Sequence, residues 1–454
     1  MEQNVPNAAS AQQQQSQSRV RTGLHTALGP LLRGRQVTVS GLLVLIALIW
    51  LVDAISVGAL FDVFLADVAR RQSYKHPNEF VGLVESVRGL TSLLAAGPIG
   101  YMSDRMDRLV FLRLIVLTFG AVAVILISVS ILSEKLSLVL VGVAFHAVLF
   151  QASASICDAI LADLVGPGAS RTSTYTKARA VSTFARSMGP GLQAVLLTCF
   201  GAEFAGPALG KVLVCGYFGL LVFAALLWPL RMPTANAGQC EVSAAGNSLL
   251  AGSSSSSQAE PEVLARMYGV PLHLLVPGLI TAFNLTFMIG GGITLKFFPL
   301  FYHDTYGLTE ESVCWVMALY WLMTAGGAQM TVLWSRCPRP VAVLILHIIG
   351  SLMLFGFIAA QDLWLNLAIF ETRPLAINSH FALNTALMMD FALPAHRGKW
   401  AAVGSLNRAT WAGSAAIGGF LTDAYGYRPS FTITGCIFFL AAAVYSPILC
   451  VTLK

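Results

Sequence analysis

The sequence predicts an all-α integral membrane protein with twelve transmembrane helices in two pseudo-symmetric six-helix bundles. Of its 454 residues, 56% are hydrophobic and only 11% are charged, whereas about 25% of the residues of soluble domains are charged. So few charges cannot solvate the surface of a soluble protein. The apolar residues also form two sets of six long runs, and a polar segment separates the two sets.

Each apolar run approaches the length of a spanning helix, which needs about 20 largely apolar residues. The second, fifth and tenth runs carry internal charges, so they are the least apolar of the twelve. The expected spans are residues 40–63, 80–101, 109–132, 137–161, 180–201, 209–230, 272–301, 312–334, 341–360, 363–390, 400–422 and 429–451.

Two polar segments divide the chain. Residues 1–37 contain "AQQQQSQS" and residues 232–270 contain "GNSLLAGSSSSSQAEPE"; both compositions predict disorder. They flank an N-terminal bundle at 38–231, and a C-terminal bundle follows at 271–454. With both termini in the cytoplasm, most of the 28 lysines and arginines fall in cytoplasmic segments, as the positive-inside rule requires. The tail lacks the apolar core of a secretory signal; a basic cytoplasmic tail and a transit peptide both fit it, and the host membrane is not indicated.

Several classes of function are not indicated. The eight cysteines include no CxxC pair, so no zinc or redox centre is expected, and neither is any other metal or cofactor. No basic stripe with interleaved aromatic residues indicates a nucleic-acid partner. No phosphate-binding GxxxxGK[ST] loop is present, so ATP is not the direct energy source. The expected partners are the lipid bilayer and a small-molecule substrate, for a chain that functions as a monomer.

The two halves contain matching loops. After the fourth span the chain reads "ADLVGPGASR", and after the tenth it reads "MDFALPAHR". Six-plus-six spans with matched loops indicate a duplicated bundle, and such repeats place a substrate site near the middle of the membrane between the halves. The matched residues are Asp163, Pro167 and Arg171 in the first half and Asp390, Pro394 and Arg397 in the second.

The loop after the second span has a distinctive pattern. It reads "GPIGYMSDRMDR", in which Gly100, Asp104, Arg105 and Arg108 give the spacing GxxxDRxxR. Glycines, here with Gly97, allow neighbouring helices to approach closely. An aspartate in such a loop can face the positive N-terminal end of another helix. The arginines could also serve only to fix the topology of the chain.

This loop resembles the signature of the major facilitator superfamily between its second and third helices. The resemblance implies transport by alternating access, with the loop cluster closing the cytoplasmic side in the outward-facing state. Asp158 and Asp163, at the inner end of the fourth span, are the expected carboxylate partners of the arginines. The segment "RSMGPGLQA" resembles the motif of drug–proton antiporters only in part, and sugar-porter signatures are not visible.

Charges inside spans are candidate functional groups, because each costs about 2.5–3.5 kcal/mol to insert. Asp53, in the middle of the first span, is the first candidate for proton coupling, and a structural pair with an arginine is the alternative. Glu85 and Arg88 share one face of the second span, either as an ion pair or for substrate recognition. Asp62 is expected at a solvated outer end or an outer gate.

The tenth span is unusually polar. Arg373 lies about halfway across the hydrocarbon layer and needs a carboxylate or an anionic substrate. Asp53, Glu371 and a substrate are its possible partners. Pro374 is expected to loosen the helix beside it. Asn378, His380 and Asn384 add further polarity.

Other candidates are less specific. Lys296 is expected to extend its amine to the outer interface, and the run Gly290–Gly292 to form a hinge. The remaining candidates for the cavity are His146, Gln151, Arg186 and Arg408.

The leading hypothesis is therefore a secondary transporter of a small polar or charged solute, with proton coupling as a further hypothesis. An intramembrane acyltransferase-like enzyme that uses His380 or His146 is the first alternative. A non-transporting sensor of the same fold is the second.

Overall fold

The computed structural model describes residues 35–165, 169–200, 207–231, 266–267, 269–330, 337–392 and 397–452. Nearly all of the predicted tail and linker lie outside the described residues. The terminal side is the end of the molecule that holds Arg35 and Thr452, and the far side is the opposite end.

The N-terminal bundle contains six helical segments, and several of them are interrupted. Thr38 caps the first helix, where its Oγ1 accepts a hydrogen bond of 3.1 Å from the Gly41 amide. A π-helical turn at Val116–Gly120 joins two helices of the third segment. The helices are α1 (Val39–Ser56), α2 (Ala59–Arg71), α3 (Pro77–Arg105), α4 (Arg108–Ile115), α5 (Ala121–Ser133), α6 (Leu136–Leu164), α7 (Ala169–Phe200), α8 (Pro207–Gly216) and α9 (Phe218–Leu227).

The C-terminal bundle repeats this arrangement. Its first segment is broken near the far side, as in the N-terminal bundle. Its fourth segment is broken at Asn378, although the sequence predicted one continuous span over residues 363–390. The helices are α10 (Leu272–Leu295), α11 (Phe298–Tyr306), α12 (Glu310–Met330), α13 (Arg339–Ala359), α14 (Leu363–Ile377), α15 (His380–Phe391), α16 (Arg397–Tyr425), α17 (Tyr427–Tyr445) and α18 (Pro447–Thr452).

These helices agree with the predicted spans and confirm the all-α membrane fold. Seven of the described helical segments are long and apolar enough to cross a membrane by length and composition alone. The others are more polar, as expected of segments that carry functional charges, or are shorter.

Two short strand pairs lie in segments for which the sequence predicted disorder or an apolar span. β1 (Arg35–Gln36) pairs in parallel with β2 (Leu230–Arg231), so the end of the N-terminal tail is tied to the end of the sixth span. β3 (Arg266–Met267) and β4 (Val270–Pro271) form an antiparallel pair before α10.

The two bundles meet along α3 with α16 and α7 with α12. Within the described part of the chain, the hydrogen bonds between the bundles lie between the middle and the far side, from Ser86–Ala412 outward to Asn78–Asp423. Toward the terminal side, a Cβ atom at Gly97 or Gly100 of α3 would meet no described atom within 4 Å, whereas at Gly82 and Gly89 it would meet α16. The described helices are therefore closed on the far side and separated on the terminal side.

Asp423 of α16 secures the far-side junction. Its carboxylate accepts hydrogen bonds from the backbone amides of Asn78 (3.3 Å) and Glu79 (2.7 Å), and from the Asn78 side chain (2.7 Å). The N-cap residue of α3, His76, makes no side-chain capping bond. A carboxylate at a helix N-terminus satisfies its free amides and its positive dipole end, so one bundle caps a helix of the other.

Candidate functional site

Five charged residues, four of them buried and Arg88 partly buried, form one network in the far-side half of the molecule. Arg88 of α3 binds Asp53 of α1 at 2.8 Å and Glu85 at 3.3 Å. The Lys296 amine binds Glu85 at 3.1 Å and both oxygens of Asp62 at 3.1 and 3.2 Å. Because Lys296 belongs to the C-terminal bundle and the other four to the N-terminal bundle, the network crosses the junction. The network contains three acidic and two basic side chains, so its net charge is −1 when all five are ionised.

Helix breaks place the outer members of this network. At Gly58, between α1 and α2, a Cβ atom would lie 2.1 Å from the Ala54 carbonyl oxygen, so only glycine fits. The chain of the other bundle breaks at Lys296, between α10 and α11. The expectation that Lys296 extends to the outer interface is therefore wrong. It is 9% exposed, because its amine turns inward to carboxylates. Asp62 is likewise buried, not solvated.

Arg186 forms a second centre at the level where the bundles begin to separate. Its guanidinium lies 3.9 Å from the ring of Trp50 on α1 and 5.0 Å from the ring of Trp321 on α12, as measured to the ring centroids. Among the described residues it has no ion pair with a carboxylate. The two rings belong to different bundles, so Arg186 lies between the halves, as the duplication predicts for a substrate site.

Two close contacts fix α7 against α1 and so position Arg186. The Gln193 amide nitrogen donates a hydrogen bond of 2.7 Å to the Ile55 carbonyl oxygen. At Gly189 a Cβ atom would lie 2.5 Å from the Ala54 Cβ atom, so the glycine allows the helices to touch. These residues occupy the segment that only partly resembles an antiporter motif.

The candidates on α6 are buried within the N-terminal bundle. His146 is 1% exposed, and its ring packs edge-on against Tyr217 with 6.1 Å between the ring centroids. The Gln151 side chain donates a hydrogen bond of 2.8 Å to Ser155.

The polar residues of the tenth span lie within the C-terminal bundle. The Nε atom of Arg373 donates a hydrogen bond of 3.0 Å to the Gly350 carbonyl oxygen, and its guanidinium lies 5.6 Å from the Phe438 ring centroid. The expected ion pairs of Arg373 with Asp53 or Glu371 are absent from the described part of the chain. Asp53 is held by Arg88 instead, and the side chains of residues 371 and 373 leave a helix in different directions.

Glu371 and His380 occupy apolar surroundings. Both carboxylate oxygens of Glu371 are buried without a hydrogen-bond partner among the described residues. The His380 ring packs against Phe283 and Phe287, with centroid distances of 5.3 and 5.1 Å. Asn384 is buried, and Asn378 donates a hydrogen bond of 3.3 Å to the Pro374 carbonyl oxygen.

The GxxxDRxxR loop is partly engaged in this state. Arg108 pairs with Asp163 and lies 3.9 Å from Asp104, whose side chain is 78% exposed. The Arg105 guanidinium lies 4.3 Å from the Tyr101 ring centroid. Gly97 and Gly100 have room for a Cβ atom, so the close approach expected there is not made with any described residue.

The second half repeats the Arg108–Asp163 pair. Arg339, at the start of α13, pairs with Asp390, at the end of α15, so the matched loops contain equivalent ion pairs. Asp158 lies within electrostatic reach of Arg179 and of Arg408 on the opposite bundle.

Four of the matched loop residues have no described side chain. The side chains of Arg171 and Arg397 lie outside the described residues, and so do all of Pro167 and Pro394.

A model of one protein family matches residues 42–418, from the first span into the eleventh. The chain belongs to the Major Facilitator Superfamily. This membership confirms the resemblance seen in the loop after the second span. It also confirms the interpretation as a secondary transporter and does not favour the enzyme and sensor alternatives.

Solved structures of transporters share the fold. A D-xylose–proton symporter matches with a TM-score of 0.67 at 13% identity, over 89% of this chain and 96% of that chain. A bacterial homologue of the human lysosomal transporter Spinster, inward-facing and unoccupied, matches with 0.64 at 15%, over 93% and 99%. The nucleoside transporter NupG matches with 0.63 at 12%, over 90% and 98%. No curated protein sequence matches.

The far side of the transporter also contains a group that could hold a metal ion. One ligand atom each from Asp67, His303 and Glu310 lies within 4.8 Å of the others. Asp67 pairs with Arg70 at 2.9 Å, and Asp304 approaches His303 Nδ1 at 3.0 Å. These contacts already partner two of the three side chains, so the group forms part of the ionic contacts on the far side.

Sequence reasoning missed Trp50, Trp321 and Asp423. Tryptophans of membrane proteins concentrate at the two interfaces, whereas Trp50 lies well inside its predicted span. That unusual position could have identified Trp50 as a candidate from the sequence. Asp423 carries no signal in the sequence, because its partner amides are more than 300 residues away.

Proposed function

We propose that the chain is a proton-coupled transporter in an inward-facing state, with both termini in the cytoplasm. The distribution of lysine and arginine supports this orientation, and with it the open terminal side is the cytoplasmic side. Alternating access then requires that the far side opens and the terminal side closes around a site near the middle of the membrane. The network and Arg186 both lie within one chain, which supports a functional monomer.

The observation that carries proton coupling is the position of Lys296 across the junction. Opening the far side withdraws its amine from Asp62 and Glu85, because these groups lie on different bundles. A buried carboxylate left without its partner costs several kcal/mol. A proton taken up by the acidic residues removes much of this cost, so protonation and opening favour one another.

Asp53 is the member of the network that faces the middle of the molecule, and Arg88 connects it to Glu85. Replacement by asparagine keeps the shape but removes the proton site and the charge. We expect Asp53→Asn to lose accumulation driven by a pH gradient and to retain exchange of substrate across the membrane. The measurement is uptake and exchange in proteoliposomes with an internal pH dye, after a screen of pooled solutes to find a substrate.

Asp362→Asn is a matched control, because Asp362 caps α14 through the Leu365 amide and has no part in the network. It should accumulate substrate as the wild type does. If Asp53→Asn accumulates substrate with an unchanged dependence on pH, Asp53 is not the coupling group.

A further inference from the structure

Arg186 differs from the two cations of the network. Arg88 and Lys296 each contact two carboxylates, whereas Arg186 has no ion pair with any described residue. A charge at that depth in a membrane protein is costly unless it is paired. Its position between the bundles, rather than within one of them, leaves the guanidinium available to a solute.

The surroundings of Arg186 are aromatic. Trp50 and Trp321 lie against the guanidinium from opposite bundles, and Phe150 supports Trp50 edge-on, with 4.7 Å between the ring centroids. Cation–π contacts hold the guanidinium in place without neutralising its charge. An arginine oriented in this way can still offer paired N–H donors to a carboxylate or another oxyanion.

We infer that the transported solute is a small organic anion. Its anionic group pairs with Arg186 between the two tryptophans. This inference rests on the proposed transport function and assigns its substrate class. A guanidinium with no ion pair among the described residues favours an anion over a neutral sugar, which needs many hydrogen-bond partners.

Binding to purified full-length protein tests this assignment. The probes are 4-phenylbutyrate, its neutral amide and the corresponding amine, which share an apolar portion and differ in charge. Isothermal titration should show saturable binding of the carboxylate and about 10- to 100-fold weaker binding of the amide. Arg186→Gln should remove this preference, and Arg186→Lys should retain part of it.

Leu274→Gln, at an exposed position of α10, is the control variant and should leave the preference for the carboxylate unchanged. Three results would overturn the inference. The wild type could bind carboxylate and amide equally, it could fail to bind the carboxylate, or the preference for the carboxylate could survive Arg186→Gln. These binding measurements use no pH gradient and so do not depend on proton coupling. A protein that binds the anion but does not accumulate it would refute the coupling proposal and leave the substrate class intact.

Discussion

Replacing Lys296 by methionine is expected to destabilise the far-side-closed state by about 3–5 kcal/mol, the usual cost of removing one partner from a buried ion pair. Asp62 and Glu85 would keep their burial and lose the amine that lies about 3 Å from each. Methionine keeps most of the side-chain volume, so the loss is mainly electrostatic. Hydrogen exchange in α2 and α11 should accelerate, and the melting temperature of the purified protein should fall.

A double variant separates this electrostatic effect from a packing defect. Adding Asp62→Asn to Lys296→Met removes one of the stranded charges and should recover part of the lost stability, since contacting residues do not behave additively. A Lys296→Met protein as stable and as protected from exchange as the wild type would show that the network contributes nothing to far-side closure.

Gly82→Ala is expected to reduce net transport by on the order of 100-fold, because a single added methyl group obstructs closure of the far side. A Cβ atom at Gly82 would lie 2.3 Å from the Ala415 carbonyl oxygen, on the opposite bundle. A backbone atom cannot rotate away, and overpacking of this kind costs about 1–3 kcal/mol or more. Each bundle can still fold around its own core, so the variant should remain a folded protein. Substrate uptake into proteoliposomes measures the effect on transport. Hydrogen exchange of the backbone amides in the first turn of α3 measures the effect on far-side closure.

Gly413→Ala is the matched control, with the same added methyl group on α16 and nothing within 4 Å of the new atom. It should transport at nearly the wild-type rate. Equal activity of the two variants would mean that the junction between α3 and α16 adjusts easily, and that the contact at Gly82 does not limit closure.

The sequence predicts depth in the membrane well and side-chain partners poorly. Hydrophobic run length places Asp53, Arg88 and Arg373 within spans, since that length is fixed by the bilayer. Which residue each one contacts depends on how the helices are rotated and paired. For that reason Arg88, and not Arg373, binds Asp53. Local spacing did predict the Glu85–Arg88 contact, because residues three apart share a helix face.

The helix breaks account for the largest difference between expectation and structure. A continuous seventh span would carry Lys296 to the outer interface, but the chain turns between α10 and α11 and brings the amine inward. The three glycines before it do not interrupt α10. At Gly290 and Gly292 they allow close packing against Phe438 and Trp411. Packing between distant segments therefore determines both the inward direction of Lys296 and the role of the glycines in α10.

The charges of the site have a consequence for the response to voltage. The network carries one excess negative charge, and Arg186 carries one positive charge, so the six groups sum to zero when ionised. An anion that enters with one proton preserves this sum. Such a cycle moves no net charge across the bilayer, whereas each unbalanced charge would be worth about 2.3 kcal/mol per 100 mV. Accumulation by this transporter would then follow the pH difference and be indifferent to membrane potential, so that a potassium diffusion potential would leave it unchanged.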